Sequence, residues 1–340
     1  MNETQSSLIK LAGAAGAIMF ARSIYQRFNA YSFKGKSVLI TGGSRGLGLV
    51  LARQFAKEGA QLTICARSEE ELARAREDVQ RIGADVIALQ CDITNNDEVE
   101  QMAREVMDRF GKIDVLINNA GVIQVGPLEV MTFADFDQAM KSHFWGPLQT
   151  TLAVLPGMRR RREGRIVNIS SIGGKISVPH LVPYSASKFA LVGLSEGLRA
   201  ELRKDGILVT TVCPGLMRTG SPRNAEFKGR HREEYAWFSI SDALPLTSIS
   251  AERAARQIVE ACRRGDAELV ISIQAKLAVL FHGIFPGLTA DLLGVVNELL
   301  PEPGGIGTRK AKGKESMSAW SPSWLTLLNE RAAVANNEIN

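Results

Sequence analysis

Cysteine is scarce in this sequence, and its few copies are far apart. The 340 residues contain four, Cys65, Cys91, Cys213 and Cys262, and no two of them form a CxxC pair. Three lie in or at the ends of apolar, strand-like runs. This pattern predicts buried, reduced thiols and argues against both a disulfide scaffold and a zinc or other metal site.

A long hydrophobic run is also missing. The longest small, apolar stretch near the N-terminus, Leu11 to Ala21, covers about a dozen residues between Lys10 and Arg22, whereas a membrane span needs about 20. No cationic n-region or cleavage site of a signal peptide accompanies it. Residues 1–33 are therefore interpreted as an apolar helix docked on the protein or lying on a membrane surface, with a truncated anchor as the third alternative.

Neither sign of charge dominates. The net charge is +5, 45% of residues are hydrophobic and 23% are charged, as in soluble globular proteins. The densest basic run, Arg159 to Arg162, ends a helix-like segment, where cations complement the helix dipole. The composition therefore gives no signature of nucleic-acid binding, and the expected location is the cytoplasm, with peripheral membrane association left open.

The middle of the chain alternates between apolar runs and helix-like segments. Such alternation, with helices of 12 or more residues, predicts an α/β fold with a doubly wound parallel sheet of about seven strands and extra helices at both termini. The predicted strands are Ser37–Ile40, Gln61–Arg67, Asp85–Gln90, Val115–Gly121, Arg165–Ser170, Leu208–Val212 and Glu268–Ser272. They define one domain over residues 34–272.

The first strand leads into a glycine-rich turn and then a helical run. The turn, Thr41 to Gly48, has the spacing G-x-x-x-G-x-G, so it departs from the general dinucleotide fingerprint. Glycines at a strand-to-helix turn let the backbone approach a pyrophosphate, which the helix N-terminus attracts. The predicted nucleotide contacts here are Gly42, Ser44, Arg45, Gly46, Leu47 and Gly48.

The second strand ends where a dinucleotide fold reads the cofactor's ribose. An NAD site favours a carboxylate at this point, but the sequence has Ala66 followed by Arg67. Arg45 and Arg67 together provide two guanidinium groups for a 2′-phosphate, which predicts NADP(H) as the cofactor. Asp92, with Ile93 after the third strand, is predicted to bind the adenine.

Tyr184 and Lys188 are four residues apart, so a helix places them on one face, one turn from each other. A phenol is a poor acid near neutrality, but a nearby cation favours its ionised form. Lys188 is therefore predicted to tune Tyr184 for proton transfer. Ser171 follows the fifth strand, at the sheet edge where ligands of α/β proteins bind.

These motifs, in this order, resemble the short-chain dehydrogenase/reductase family over residues 34–272, which implies a Rossmann-type fold. The resemblance implies hydride transfer between the nicotinamide C4 and a carbonyl or alcohol carbon. The resemblance implies that Tyr184 transfers the proton, that Ser171 hydrogen-bonds the substrate oxygen, and that Lys188 holds the nicotinamide ribose. The resemblance rests on Thr41–Gly48, Asp92, Asn118, Asn119, Ala120, Gly121, Ser171, Tyr184, Lys188, Pro214, Gly215 and Thr219, and it implies cofactor contacts at Asn118, Ala120, Gly121, Pro214, Gly215, Met217 and Thr219.

One position departs from the family pattern. An asparagine usually lies in the long helix after the fourth strand, here Phe133 to Met158, and supports a water that links the lysine to solvent. This chain has His143 there. An imidazole with a pKa near 6.5 either sustains that relay, as a catalytic residue with pH dependence between about 5.5 and 7.5, or merely fills the space.

Residues 220–247 are predicted to form an irregular lid over the substrate, a small-molecule carbonyl or alcohol. Its aromatic residues indicate a bulky apolar substrate such as a lipid or steroid, whereas its basic residues leave room for an acidic group, as on a 3-oxoacyl thioester. The aromatic residues are Phe227, Tyr235, Trp237 and Phe238, and the basic ones are Lys228, Arg230, His231 and Arg232.

The C-terminal residues exceed what this fold needs. Residues 273–302 are predicted to form an amphipathic helix pair interrupted at Pro286 and Gly287, which packs on the body, forms a subunit interface or lies on a membrane. A homo-oligomer is expected. Residues 303–340 are predicted to be a mobile linker followed by a helix from Trp324 to Ala335, capped by Ser321 or Ser323.

Two functional classes remain at this stage. The favoured one is an NADP(H)-dependent ketoreductase or alcohol dehydrogenase that uses Ser171, Tyr184 and Lys188. The alternative is a dinucleotide-binding sensor or scaffold of the same fold without turnover, which the His143 departure keeps open.

Overall fold

A computed structural model describes residues 31–244, 248–318, 321–323 and 326–339. The predicted helix from Leu11 to Ala21 therefore lies outside the described residues, as do Trp324 and Leu325. From Phe33 onward the chain belongs to one compact unit.

Parallel strands form the centre of this unit. The described strands are β1 (Ser37–Thr41), β2 (Gln61–Ala66), β3 (Val86–Gln90), β4 (Val115–Asn118), β5 (Gln124–Val125), β6 (Gly164–Ile169), β7 (Ile207–Pro214), β8 (Leu216–Arg218), β9 (Glu226–Phe227), β10 (Ser248–Ser250), β11 (Glu268–Ile271) and β12 (Ala311–Lys312). Seven of them build a parallel sheet in the order β11-β7-β6-β4-β1-β2-β3. This confirms the predicted doubly wound α/β fold.

Helices cover the sheet on both faces. The described helices are α1 (Gly46–Lys57), α2 (Glu69–Gln80), α3 (Asn96–Phe110), α4 (Phe133–Met140), α5 (Gly146–Arg161), α6 (Val182–Leu202), α7 (His231–Ala243), α8 (Ala251–Arg264), α9 (Ile273–Ile284), α10 (Pro286–Glu298) and α11 (Leu327–Ala335). All five residues of β1 are buried, as expected for a central strand covered on both faces.

The strand order reverses between β1 and β4, which pair in parallel with Val38 opposite Val115. At such a switch point the loops after the two strands turn to opposite faces and leave a crevice between them. The glycine turn follows β1, and residues 119–121 follow β4. The fold thus places both motifs at one crevice.

Two predicted segments differ from the structure in the central region. The predicted helix from Phe133 to Met158 is broken by a π-helical turn, Lys141–Trp145, that separates α4 from α5. Residues 220–247 are not irregular where they are described: a 3₁₀ turn (Ser221–Asn224), β9 and α7 occupy most of them. The backbone hydrogen bonds of this region are therefore largely satisfied within regular elements.

The predicted C-terminal helix pair is present as α9 and α10, but it does not bury its apolar residues on the body. Leu277, Leu280, Ile284, Leu288 and Leu292 are each at least half exposed. Among the described residues, no helix has the length and apolar character to cross a membrane. The predicted homo-oligomer and peripheral membrane contact stay predictions.

The segment after α10 is not a mobile linker, because it forms β12. Ala311 and Lys312 pair with Phe227 and Glu226 of β9, and ion pairs from Lys310 and Lys312 to Glu226 reinforce the pairing. The last described helix begins at Leu327 after the N-cap Thr326.

Candidate active site

Tyr184 and Lys188 lie on one face of α6, beside the end of β6. The Lys188 Nζ atom is 5.6 Å from the centroid of the Tyr184 ring and donates a hydrogen bond of 2.8 Å to the carbonyl oxygen of Ile169. Ser171 follows β6, and its hydroxyl lies close enough to that of Tyr184 to act on the phenol's pKa. The fold therefore brings together the three side chains that the sequence analysis grouped.

Burial dominates the electrostatics of this group. It raises the pKa of Tyr184 to about 12, although the Ser171 hydroxyl acts in the opposite direction, and the carboxylate of Asp242 adds to the increase. Burial also lowers the pKa of Lys188 to about 7. The net shift of the Tyr184 pKa in the protein alone is therefore upward, because a desolvated phenolate is costly, and the tuning of Tyr184 by Lys188 stays a prediction.

His143 lies in the π-helical turn, and both of its ring nitrogens are used inside the protein. Its Nε2 accepts from the backbone N–H of Val122 at 3.1 Å, so Nδ1 carries the proton and donates to the Ser187 hydroxyl at 2.8 Å. Burial, then the charge of Lys188, lowers the pKa of His143 well below 6.5. The imidazole packs edge-on against Tyr184, with 5.4 Å between ring centroids, and is neutral near pH 7. The structure thus favours a space-filling role over a proton relay.

The glycine turn is held close to the loop after β4. Gly42 has a φ of +63°, and a Cβ atom there would lie 2.8 Å from the Ala120 backbone. A Cβ on Gly48 would lie 2.0 Å from the carbonyl oxygen of Gly42. Asn119 ties the two loops together, since its amide donates to the carbonyl oxygens of Thr41 and Gly42 at 3.1 and 3.0 Å. Only glycines fit this close approach of the two loops.

At the ribose end, Arg45 is not a free cation. Its guanidinium pairs with the buried carboxylate of Glu71 at 2.9 Å and lies 3.5 Å from that of Glu338. Glu71 also accepts from the Ser44 hydroxyl at 2.9 Å. Arg67 is exposed beside the same cavity. The sequence analysis missed both carboxylates, because neither lies in a recognisable motif.

Asp92 also has local partners. Its carboxylate accepts from the backbone N–H and the hydroxyl of Thr94, each at 2.9 Å, in a turn that precedes α3. Asp92 and Ile93 both line the cavity. A bound adenine would therefore share the Asp92 carboxylate with Thr94.

One cavity of about 370 Å³ joins these parts. Some predicted residues do not line it: Gly48, Asn118, Ser171, Pro214 and Gly215. Those that do are Gly42, Ser44, Arg45, Gly46, Leu47, Arg67, Asp92, Ile93, Ala120, Gly121, His143, Tyr184, Lys188, Met217 and Thr219.

The side chain of Asn118, a predicted cofactor residue, is buried away from the cavity. Its amide nitrogen donates to Asn168 at 2.8 Å, and its oxygen accepts from Thr150 at 2.6 Å, inside the sheet–helix layer. The side chain is 2% exposed. Asn118 therefore stabilises the ends of β4 and β6, and the side chain that reaches the glycine turn is that of Asn119.

The aromatic residues of α7 and β9 do not form a substrate wall. Phe227, Tyr235 and Phe238 are buried in a small second core with Val125 and Leu181. The rings of Phe227 and Tyr235 pack edge to face at 5.4 Å. These buried side chains therefore give no support for a bulky apolar substrate.

Comparisons with known proteins agree with this geometry. A family model described as short chain dehydrogenase matches residues 36–228. This chain belongs to the short-chain dehydrogenase/reductase family. The Dehydrogenase/reductase SDR family protein 7-like of Anopheles gambiae is 36% identical over 250 residues, which are 72% of this chain and 77% of that protein. Dehydrogenase/reductase SDR family member 7B of Bos taurus is 33% identical, over 83% of this chain and 88% of its own.

A solved structure supports the same family assignment. A variant actinorhodin polyketide ketoreductase with NADPH superposes with a TM-score of 0.62 and is 30% identical, covering 71% of this chain and 97% of its own. These relatives support an oxidoreductase of the dehydrogenase/reductase type.

Proposed function

We propose that this protein is an NADP(H)-dependent oxidoreductase that transfers a hydride between the nicotinamide C4 and a carbonyl or secondary alcohol carbon. The observation that carries the proposal is a cavity lined both by the glycine turn and by the partly buried Tyr184 and the buried Lys188. A glycine cradle at a helix N-terminus fits a pyrophosphate, and a phenol with an adjacent amine fits proton transfer to a reduced carbonyl.

Each side chain has a definite part in this scheme. When bound, NADP(H) supplies the hydride. Tyr184 carries its proton at neutral pH, since its pKa is raised to about 12, and so donates it to the substrate oxygen during reduction. Ser171, whose hydroxyl lies beside that of Tyr184, would donate a hydrogen bond to the same oxygen. Lys188 holds the nicotinamide ribose, and a proton on its amine favours the phenolate that Tyr184 leaves behind.

The preference for NADP(H) rests on Arg67 and Arg45. No carboxylate follows Ala66 at the end of β2, and Arg67 is exposed beside the cavity. A 2′-phosphate would gain charge-assisted hydrogen bonds from these guanidinium groups. We expect Arg67→Ala to weaken NADPH binding by about tenfold while NADH binding changes little; equal effects on both cofactors would contradict the preference.

For the substrate we propose a ketone, with 3-oxoacyl thioesters as the first class to test. The support is the resemblance to a polyketide ketoreductase, since the aromatic residues of the lid are buried elsewhere. Purified protein is mixed with NADPH and a panel of ketones, aldehydes and 3-oxoacyl thioesters, and absorbance at 340 nm is followed. Oxidation of NADPH with any member supports an oxidoreductase. Tight NADPH binding without turnover across the panel supports the sensor alternative.

A further inference from the structure

The last residues of the chain lie on the glycine turn. The backbone N–H of Gly46, the first residue of α1, donates to the carbonyl oxygen of Asn336 at 2.9 Å. The amide of Asn337 donates to the carbonyl oxygens of Ser44 and Glu71 at 2.9 and 3.1 Å. The C-terminal segment, residues 326–339, thus uses a backbone donor that a helix N-terminus normally offers to an anion.

Glu338 brings a carboxylate to the same place. One of its oxygens lies 2.6 Å from where a Cβ on Gly46 would be, and the other is 3.5 Å from Arg45 Nε. Asn224, across the cavity, donates to the Glu338 carboxylate at 2.5 Å and to its carbonyl oxygen at 3.0 Å. Glu338 is 6% exposed. A buried carboxylate between a helix N-terminus and a guanidinium meets the same requirements as a bound phosphate.

The C-terminal segment is also held at points outside the cavity. Arg53 of α1 donates to the carbonyl oxygen of Ala335 at 2.7 Å and to Asn336 at 3.1 Å. Ala333 is fully buried against Gly220, where an added Cβ would lie 2.4 Å from its Cα. The segment therefore bridges the glycine turn and the loop after β8, the two walls of the cavity.

We propose that the C-terminal segment competes with the dinucleotide: the Asn336 carbonyl and the Glu338 carboxylate occupy phosphate-binding donors, and the segment must leave before NADP(H) binds. This inference rests on the proposed function. Two anions cannot share one buried site, since like charges at contact distance repel. The protein alone is then a closed state, and the apparent affinity for the cofactor is reduced by the small fraction of molecules that are open.

The charge state of Glu338 gives the competition a pH dependence. Burial raises the pKa of Glu338 to about 7; Arg45 and Asn224 oppose this increase, and Glu71 adds to it. The pKa of the Glu338 carboxyl is about 7 when the segment is docked and about 4.5 when it is undocked. The carboxyl therefore stabilises the docked state fully below pH 4.5, and this stabilisation is lost as the pH rises through 7. NADPH binding should therefore strengthen by up to about tenfold from pH 6 to 8 relative to Glu338→Gln, whose amide does not titrate.

Two arginine substitutions in the full-length chain test the competition. Ala333→Arg places a long side chain where no space exists, and Val334→Arg is the matched control, because Val334 is 69% exposed on the same helix. We expect Ala333→Arg to bind NADPH about tenfold more tightly than wild type, by fluorescence titration, and Val334→Arg to match wild type. Equal or weaker binding by Ala333→Arg overturns the inference.

Hydrogen–deuterium exchange of the wild-type protein is a second readout that needs no variant. If NADPH displaces the C-terminal segment, exchange in peptides covering residues 326–339 rises when NADPH is added. A decrease would show that the segment closes over the cofactor, which overturns the inference. If wild type and Ala333→Arg bind NADPH equally well, only the competition is refuted. If neither protein binds NADPH or NADH, the proposed function is refuted as well.

Discussion

Two buried lysines show how the same residue serves different purposes in this protein. Lys188 and Lys228 are 5% and 2% exposed. Lys228 forms an ion pair with the fully buried carboxylate of Asp135. Lys188 makes no ion pair with any described residue; its Nζ donates to the carbonyl oxygen of Ile169 and lies near the Tyr184 ring.

The pKa values express this difference. Burial by itself would raise the pKa of Asp135, but hydrogen bonds from Lys228, Thr132 and Lys310 lower it to about 2, so this carboxyl is ionised at neutral pH. Burial without a carboxylate lowers the pKa of Lys188 to about 7. A paired buried charge holds elements together, whereas an unpaired buried amine that titrates near neutrality is typical of a catalytic site.

The largest effect is expected beside Lys188. Tyr184→Phe removes the hydroxyl that donates the proton, so we expect kcat to fall by about 10³-fold with little change in the Kd for NADPH. The matched control is Tyr235→Phe, since Tyr235 is buried in the second aromatic core and, unlike Tyr184, does not line the cavity. Similar losses of kcat in both variants would show that the effect is structural, and the contrast between the Lys188 site and the rest of the core would fail.

Stability separates the two lysines most clearly. Lys228→Met leaves the buried Asp135 carboxylate with the partly exposed Lys310 as its remaining ion-pair partner, so we expect the free energy of unfolding to fall by about 3 kcal/mol in urea denaturation. Lys310→Met is the control, because Lys310 contacts the same carboxylate at 3.2 Å but is one-third exposed; a loss of about 1 kcal/mol or less is expected. Lys188→Met should lower the free energy of unfolding much less than Lys228→Met does. Equal losses would refute the distinction between the ion-paired and the unpaired lysine.

The pH dependence of stability sharpens the comparison further. Lys188 has a folded pKa of about 7 and an unfolded pKa of about 10.5, so between these values the unfolded state binds the extra proton. Stability therefore rises with pH in this range. Relative to Lys188→Met, the wild-type protein should gain about 2 kcal/mol between pH 7 and pH 9. A constant difference would mean that Lys188 is charged throughout.

The smallest effect is expected at His143, a third buried base. Burial and the charge of Lys188 hold the pKa of His143 well below 6.5, so its imidazole is neutral near pH 7. We expect the profile of kcat/KM against pH for His143→Asn to parallel that of wild type between about pH 5.5 and 7.5. A flattened profile would restore the proton relay inferred from the sequence alone.

The sequence predicted those parts of the protein that depend on local patterns. The alternation of strands and helices predicted the parallel sheet. The glycine turn, and Tyr184 with Lys188, predicted the two ends of the cavity, because residue spacing alone determines which side chains share a helix face or a turn. The direction in which a side chain points at the end of a strand was less predictable. The inward position of Asn118 and the outward one of Asn119 depend on where β4 stops.

The contacts that could not be predicted join distant parts of the chain. Glu338 reaches Arg45, and Lys310 reaches Asp135, without any motif that marks either pair. The burial of the aromatic residues around Tyr235 is a further example, because the apolar side of a helix does not reveal whether it faces a cavity or a core. These features depend on how the C-terminal residues fold back, which local periodicity does not encode.

The most direct test of the account is to follow the hydride itself. Full-length protein is incubated with NADPH deuterated at C4, in each of its two stereochemical forms, and the ketone and 3-oxoacyl panel, and products are examined by mass spectrometry. The account predicts that one form transfers deuterium to the carbinol carbon and that Tyr184→Phe abolishes this transfer. If NADPH binds but no product carries deuterium from either form, the protein is not the reductase proposed.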